Sequence, residues 1–177
     1  MATKIIQKEN PILRDIAKNV LVADIKSARI KKIITDMKKA LHAENDGVAI
    51  AAPQIGVSLR IFVVAGKIFD EAFVRGEIKE DFKTDKEDLV FINPVFKKIS
   101  KTKKWMQEGC LSVRWLYGEV ARSTQATVEA YDENGIKFVR GGGGLLAHIF
   151  QHEIDHLDGV LFIDKARDIK DNPPENM

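Results

Sequence analysis

Apolar residues recur at helical spacing in two stretches of the chain. In the first, Lys and Asp residues separate a series of apolar positions, namely Ile30, Ile33, Ile34, Met37 and Leu41. Spacing by three and four residues predicts an amphipathic helix, with Asp24 as its N-cap and Asn45-Asp46-Gly47 as its stop signal. The second stretch runs from Leu145 to Leu157 and predicts a helix that ends at Asp158-Gly159, where glycine can adopt the left-handed cap conformation.

Short runs of β-branched and aromatic residues between these helices predict strands. They are Arg60–Ala65, Leu89–Ile92 with a continuation over Val95–Ile99 beyond a bulge, and Thr127–Tyr131 and Ile136–Val139, which form a hairpin around Asn134-Gly135. Val160–Ile163 is either a short strand or an apolar packing segment. This order predicts an α+β fold in which antiparallel β-sheets pack around the late α-helix, with another helix near the N-terminus.

Three segments show neither the apolar spacing of a helix nor the composition of a strand. Residues 66–88 are mixed and highly charged and predict a solvated loop, while Gly141–Gly144 predicts a flexible lead into the late helix. Residues 164–177 predict a frayed C-terminal tail. Because no repeat or linker divides the chain, we interpret residues 1–177 as a single catalytic domain.

Composition and charge exclude several classes of function. A net charge of +2, with basic and acidic residues interspersed, gives no DNA-binding footprint. No segment has the length and apolarity of a membrane span, and residues 1–8 lack the apolar core of a secretory signal. A single cysteine, Cys110, cannot form an internal disulfide and favours a reducing compartment, so we expect a cytoplasmic protein.

The late helix carries the sequence His152-Glu153-Ile154-Asp155-His156. Residues four apart lie on the same face of a helix, so His152 and His156 can direct two imidazoles at one metal ion. Glu153 lies beside such a site without ligating the ion. The alternative is a surface helix with two solvated histidines.

A catalytic metal site needs a third protein ligand. The extended zinc-peptidase pattern would place a histidine at position 162, but Phe162 stands there and cannot ligate. His148 precedes His152 by one turn, and three histidines stacked over two turns would span about 12 Å, too far for one ion. Cys110, beside Gly109, is the better candidate because a thiolate is a strong ligand for divalent first-row metals.

Three motifs in order identify the sequence as similar to the peptide deformylase family. They are Gly47 to Gln54, Glu108 to Ser112, and Gln151 to His156, and the resemblance extends from Asn10 to Asp164. The first motif departs from the family pattern at Ala49, which is usually glycine. Arg114-Trp115 stands where many members have Pro-Gly.

The resemblance implies that Cys110, His152 and His156 bind one divalent metal ion, foremost Fe²⁺, with Zn²⁺, Ni²⁺ or Co²⁺ as alternatives. It implies hydrolysis of the N-formyl group from N-formylmethionyl nascent peptides, with release of formate. The partners implied are these peptides, with contact to the ribosome near the exit tunnel left open.

The resemblance also assigns roles to individual residues. Glu153 would transfer the proton, while the side-chain amide of Gln54 and the backbone N–H of Leu111 would stabilise the oxyanion. The peptide would pair with the Gly47–Ile50 strand, and Glu108 resembles a family carboxylate that pairs with a basic residue, here Arg122. The full set of substrate-binding positions is Gly47, Val48, Ala49, Glu108, Gly109, Leu145, His148 and Ile149.

Two other functions compete with this interpretation. One is a metal-dependent peptidase that cleaves internal bonds, which would need a further His or Glu ligand downstream; Asp164, the nearest later acid, lacks the usual spacing. The other is a non-catalytic module in which the same three residues hold zinc structurally. Structural zinc sites normally close with four protein ligands, and the sequence offers no evident fourth.

Overall fold

The structure, a computed structural model, describes residues 4–76 and 84–174. The helices of these residues are α1 (Ala28–His42), α2 (Glu71–Val74) and α3 (Gly144–Leu157). The strands are β1 (Ala49–Ala51), β2 (Ile61–Val64), β3 (Leu89–Ile99), β4 (Lys103–Gly109), β5 (Leu116–Ser123), β6 (Gln125–Tyr131), β7 (Lys137–Gly143) and β8 (Arg167–Asp171). Short 3₁₀ helices cover Pro11–Arg14, Val22–Asp24, Ala52–Ile55, Gly66–Phe69 and Phe162–Asp164.

A five-stranded sheet in the order β1-β2-β3-β6-β7 separates two apolar clusters. Every neighbouring pair in it is antiparallel, and β1 lies at one edge. Alternate residues of β2 enter different clusters, because successive side chains of a strand point to opposite faces. Phe62 packs on the side of α3, where Phe91 and Phe150 stack around it, whereas Ile61 packs on the side of α1.

A second sheet, in the order β4-β5-β8, covers a smaller cluster that includes Leu13, Val120 and Phe162. The segment that joins β4 to β5, residues 110–115, is called here the 110–115 loop. The loop begins at Cys110. The β4–β5 hairpin of the small sheet therefore holds Cys110 against α3, the helix that packs on the large sheet.

The predicted fold class is confirmed, since antiparallel sheets pack around the late helix and α1 lies near the N-terminus. The bulge in β3 and the β6–β7 hairpin are present. Helix α3 ends at Leu157, and Gly159 has the left-handed φ of 73°. Among the described residues, no helix is long and apolar enough to cross a bilayer.

Four predictions of local structure were wrong. The N-cap of α1 is Ser27, whose Oγ accepts a hydrogen bond from the N–H of Ile30, and Asp24 ends a 3₁₀ helix instead. Residues 66–88 are not a continuous loop: they include the 3₁₀ helix Gly66–Phe69 and α2, while residues 77–83 lie outside the described part.

The other two corrections concern glycines and the C-terminus. Gly141–Gly143 form the end of β7, paired with Gln125–Thr127, rather than a flexible lead. Arg167–Asp171 form β8 against β5 rather than a frayed tail. Val160–Ile163 leads into the 3₁₀ helix Phe162–Asp164, so the packing interpretation holds and the strand interpretation does not.

Candidate active site

Cys110, His152 and His156 come together where the 110–115 loop meets α3. One ligand atom from each residue can be chosen so that all three atoms lie within 4.8 Å of one another. The Sγ of Cys110 lies 3.1 Å from the Nε2 of His156. The two histidines are one turn apart, with ring centroids separated by 4.9 Å. The three residues predicted as metal ligands therefore converge.

A buried carboxylate, Glu108, orients one of these histidines. Its Oε1 accepts a hydrogen bond from the Nδ1 of His152 at 2.5 Å, and its Oε2 accepts one from the Nε2 of His148 at 2.6 Å. Arg122 donates to both oxygens, at 2.6 and 3.0 Å. The predicted pairing of Glu108 with Arg122 is present, and the Nε2 of His152 is left free to bind a metal ion.

The network around Glu108 determines charge states. Burial alone would raise the pKa of Glu108, but hydrogen bonds from His148, His152 and Arg122 outweigh it and hold this pKa well below its usual range. Burial lowers the pKa of His156, which keeps this imidazole neutral. Burial also opposes charge on His152, yet hydrogen bonds to Cys110 and Glu108 raise its pKa. A cation bound by Cys110 and His152 would compete with protons for the sulfur and the imidazole nitrogen.

The donor set suits a catalytic divalent ion. One thiolate and two imidazoles are soft and borderline ligands that bind first-row metals. His148, considered and rejected as a ligand from the sequence, uses its Nε2 on Glu108 and is not part of the cluster. Three protein ligands would leave a coordination position open for a reactant.

Glu153 projects into the same place with an unsatisfied oxygen. The residue is 3% exposed, and its Oε2 is buried without a hydrogen-bond partner among the described residues. Burial raises the pKa of Glu153 to about 7, and the nearby charge of Glu108 also raises it. A carboxyl group with this pKa can both accept and return a proton near neutral pH.

Two further groups flank the cysteine. The Oε1 of Gln54 accepts a hydrogen bond from the N–H of Ala51 at 2.8 Å, which directs its Nε2 at the Oγ of Ser112 and the Sγ of Cys110, at 3.2 and 3.6 Å. In the described part of the chain, the N–H of Leu111 has no hydrogen-bond acceptor. Both predicted oxyanion donors therefore lie next to the candidate ligand.

A cavity of about 430 Å³ opens over this cluster. Its wall includes every predicted site residue except His156, which is buried behind it. The wall also includes Arg114, which was expected to alter it, and residues that sequence reasoning did not place there: Asp46, Met106, Gln107 and Tyr117. Arg114 binds Asp46 and Glu44 at 2.6 and 2.8 Å and thus links the two sides of the opening.

Two supporting residues were also missed as site residues. Ser112 accepts from Gln54, and its N–H donates to the Sγ of Cys110 at 3.4 Å. Asp155 accepts from Arg122 at 2.6 Å and thereby fixes the cation that pairs with Glu108. Both residues lie inside the motifs that were recognised, and their position there was the only signal available.

Comparisons with known proteins agree with this geometry. Residues 2–172 match the family model described as polypeptide deformylase. The peptide deformylase of Carboxydothermus hydrogenoformans is 38% identical over 166 residues, which cover 94% of both chains. Peptide deformylase 1A, chloroplastic/mitochondrial, of Arabidopsis thaliana is 39% identical over 92% of this chain but only 60% of its own length, so this chain spans little more than half of that relative.

A solved structure shares the fold. The crystal structure of a peptide deformylase from Legionella pneumophila aligns with a TM-score of 0.78 and 37% identity, and the alignment covers 95% of this chain and 88% of that one. The matched range includes Gln54, Cys110 and the α3 motif, around which the cavity is built. From sequence, fold and site together, the chain belongs to the polypeptide deformylase family.

Proposed function

We propose that this protein is a metal-dependent peptide deformylase that hydrolyses the N-formyl group of N-formylmethionyl peptides. The observation that carries the proposal is the convergence of Cys110, His152 and His156 beside Glu153, at a cavity of about 430 Å³ whose wall includes all of these residues except the buried His156. The free oxygen of Glu153 argues against a purely structural metal site, because such a site needs no buried, unpartnered carboxylate.

Cys110, His152 and His156 would hold the metal ion. A divalent cation there supplies Lewis acidity, which polarises the formyl carbonyl and lowers the pKa of water toward neutrality. Glu153 accepts a proton from the attacking water and returns it to the amino nitrogen as the C–N bond breaks. The products are formate and a free amino terminus.

Fixed donors from the chain stabilise the charge that develops on the formyl oxygen. The Nε2 of Gln54 is aimed by the N–H of Ala51, and the N–H of Leu111 is free among the described residues. Preorganised donors of this kind need no reorientation during the reaction, and losing one typically costs 10²–10³-fold in kcat.

The rest of the cavity suits a peptide that begins with methionine. Val48, Leu145 and Ile149 supply apolar wall, and Gly47 and Gly109 line the same cavity. Since β1 is at the edge of its sheet, a peptide can extend the sheet through main-chain hydrogen bonds. A nascent chain with a formylated terminus fits this arrangement, and action near the ribosomal exit tunnel stays a prediction.

The ligand set also bears on the metal and the compartment. We infer Fe²⁺ as the native ion, with Zn²⁺, Ni²⁺ and Co²⁺ as functional substitutes, since a Cys-His-His set accepts all four. A thiolate beside Fe²⁺ oxidises readily, so a reducing compartment such as the cytoplasm is proposed.

The test compares two dipeptides on anaerobically purified protein with measured metal content. We expect formate release from formyl-Met-Ala and no cleavage of unformylated Met-Ala. Glu153→Ala should abolish turnover while metal content is retained, and Cys110→Ala should lose the metal. Cleavage of internal peptide bonds, or full turnover by Glu153→Ala, would overturn the proposal.

A further inference from the structure

Gln7 contacts the 110–115 loop from outside the cavity. Its Nε2 donates to the main-chain oxygen of Leu111 at 3.0 Å, and its Oε1 accepts from the N–H of Arg114 at 3.3 Å. A carbonyl needs a donor and an N–H needs an acceptor, so these two partners fix which way the amide faces. The side chain thus bridges two main-chain groups more than one hundred residues away in sequence.

The two turns of the loop leave both of these main-chain groups without a hydrogen bond. The carbonyl of Cys110 accepts from the N–H of Val113, and the carbonyl of Val113 accepts from the N–H of Leu116, both at 3.0 Å. Gln7 pairs the intervening groups, the carbonyl of Leu111 and the N–H of Arg114. The loop therefore lacks a continuous ladder of its own, and Gln7 supplies two of the hydrogen bonds that its turns do not make.

The preceding residue contacts the other predicted donor. The N–H of Ile6 donates to the main-chain oxygen of Gln54 at 2.9 Å. Two consecutive residues of the N-terminal segment therefore hold the backbones of Gln54 and Leu111, which approach Cys110 from different elements. This segment therefore connects the backbones of the two residues that supply the predicted oxyanion donors.

We propose that Gln7 is a positioning residue that fixes the N–H of Leu111 for deformylation; the inference rests on the function proposed above. Without Gln7, the carbonyl of Leu111 and the N–H of Arg114 bond to water, and the peptide groups between them gain freedom to rotate. The N–H of Leu111 belongs to the preceding peptide group, whose carbonyl, that of Cys110, accepts from the N–H of Val113 within the freed stretch. The N–H of Leu111 therefore loses its alignment with the formyl oxygen, with the largest effect when charge develops there. The defect falls on kcat more than on KM.

The experiment compares three variants on formyl-Met-Ala. Gln7→Ala removes both hydrogen bonds, while Gln7→Glu keeps an acceptor for Arg114 but cannot donate to Leu111. Glu9→Ala changes an exposed residue of the same segment and serves as the matched control. We expect kcat to fall about 10-fold in both Gln7 variants, less than the 10²–10³-fold for outright loss of a donor. KM and metal content should stay close to wild type.

A second measurement does not depend on turnover. In metal-free protein, the amide resonance of Leu111 should shift and its hydrogen exchange accelerate in both Gln7 variants, with the amide of Gly135, in the distant β6–β7 turn, unchanged. If Gln7→Ala does not fold, Gln7→Glu, which retains one of the two bonds, provides the test.

The outcomes separate this inference from the function on which it rests. Wild-type kcat with an unchanged Leu111 amide in the Gln7 variants would overturn the positioning role. Loss of activity in proportion to lost metal would also overturn it, because the role would then be structural. Wild-type protein that releases no formate would refute the proposed function instead, and the Leu111 amide would still report whether Gln7 holds the loop.

Discussion

Replacing Glu108 with glutamine removes the charge at the centre of the buried network and nearly preserves its shape. The carboxylate accepts hydrogen bonds from His148, His152 and twice from Arg122. A carboxamide has only one acceptor oxygen, so its NH₂ group must face a pair of N–H donors, whichever way it is turned. Glu108→Gln therefore leaves at least one buried N–H of Arg122 without an acceptor, and the histidine that faces the NH₂ group must change tautomer to accept from it.

The expected cost in stability follows from what remains around Arg122. Removing one partner of a buried ion pair typically costs 3–5 kcal/mol. The guanidinium, whose side chain is 4% exposed, keeps Asp155 at 2.6 Å, and the single remaining amide oxygen still accepts one hydrogen bond. We therefore expect the lower end, about 3 kcal/mol, in the unfolding free energy of the metal-free protein.

The expected effect on metal binding follows from His152. Its Nδ1–H donates to Glu108, which fixes the ring and leaves Nε2 for the metal. Loss of such an outer partner typically weakens metal affinity 10–100-fold. Because glutamine can still offer one oxygen, we expect about 10-fold weaker binding of Zn²⁺.

The assays are chemical denaturation of the metal-free protein and competition of Zn²⁺ against a chelator. Glu119→Gln is the matched control: it removes a carboxylate of the adjacent strand that binds Arg167 at 2.9 Å in a much more exposed pair. That change should cost no more than about 1 kcal/mol and leave Zn²⁺ affinity unaltered. Equal stability and equal Zn²⁺ affinity of wild type and Glu108→Gln would refute the reasoning.

Two other predictions concern stability alone. Gly159→Ala should lower the unfolding free energy by more than 2 kcal/mol, or about twice the cost of Gly56→Ala. Both glycines have φ near 75°, but a Cβ at Gly159 would lie 2.5 Å from the carbonyl oxygen of Arg14, whereas Gly56 faces open space. Equal losses of unfolding free energy in the two variants would show that the contact with Arg14 adds no cost. The hydrogen bond from Arg14 lowers the pKa of Asp164 in the folded state. The Asp164 carboxylate therefore stabilises the fold at pH values above its unfolded pKa near 4, and this stabilisation is lost as the pH falls through its lower pKa in the folded state. Chemical denaturation between pH 7 and pH 3 should show that Asp164→Asn has an unfolding free energy lower than wild type by under about 1 kcal/mol at pH 7, and that this difference vanishes in acid. A difference that grew as the pH fell would contradict the expected pH dependence.

The fold could be predicted from sequence wherever side chains carry the information. The apolar positions of α1 enter the core as their helical spacing predicts, and the β-branched and aromatic run of β2 is buried on both faces of the sheet. Strand β8 has five exposed residues and pairs with β5 through its main chain, so no alternation marks it. The Gly141–Gly143 end of β7 has no side chains, and a Cβ at Gly142 would lie 2.6 Å from Leu146. The close packing of β7 against Leu146 therefore requires glycine within a regular strand, whereas the composition of a glycine run alone predicts a flexible segment.

The site residues also differ in how far residue type alone made them predictable. Metal ligands and proton acceptors are limited to few residue types, so spacing and motif order were enough to bring together Cys110, His152, His156 and Glu153. Gln7 carries no such signal, because a glutamine in an N-terminal segment is compatible with many surroundings. Its importance depends on two main-chain groups more than one hundred residues away, and only the three-dimensional structure places them together.

The two departures from the family pattern have unequal consequences for the cavity. Ala49 lines the cavity but is only 7% exposed and belongs to the apolar cluster beneath α3, so its methyl presents little surface to the opening. Arg114 instead crosses from the 110–115 loop to Asp46 and Glu44, on the opposite side of the same opening. Its backbone N–H is held by Gln7, so one residue links the N-terminal segment, the loop and the far wall. The difference from relatives with Pro-Gly at this position is therefore concentrated at the mouth of the cavity, away from Glu153 and the ligands.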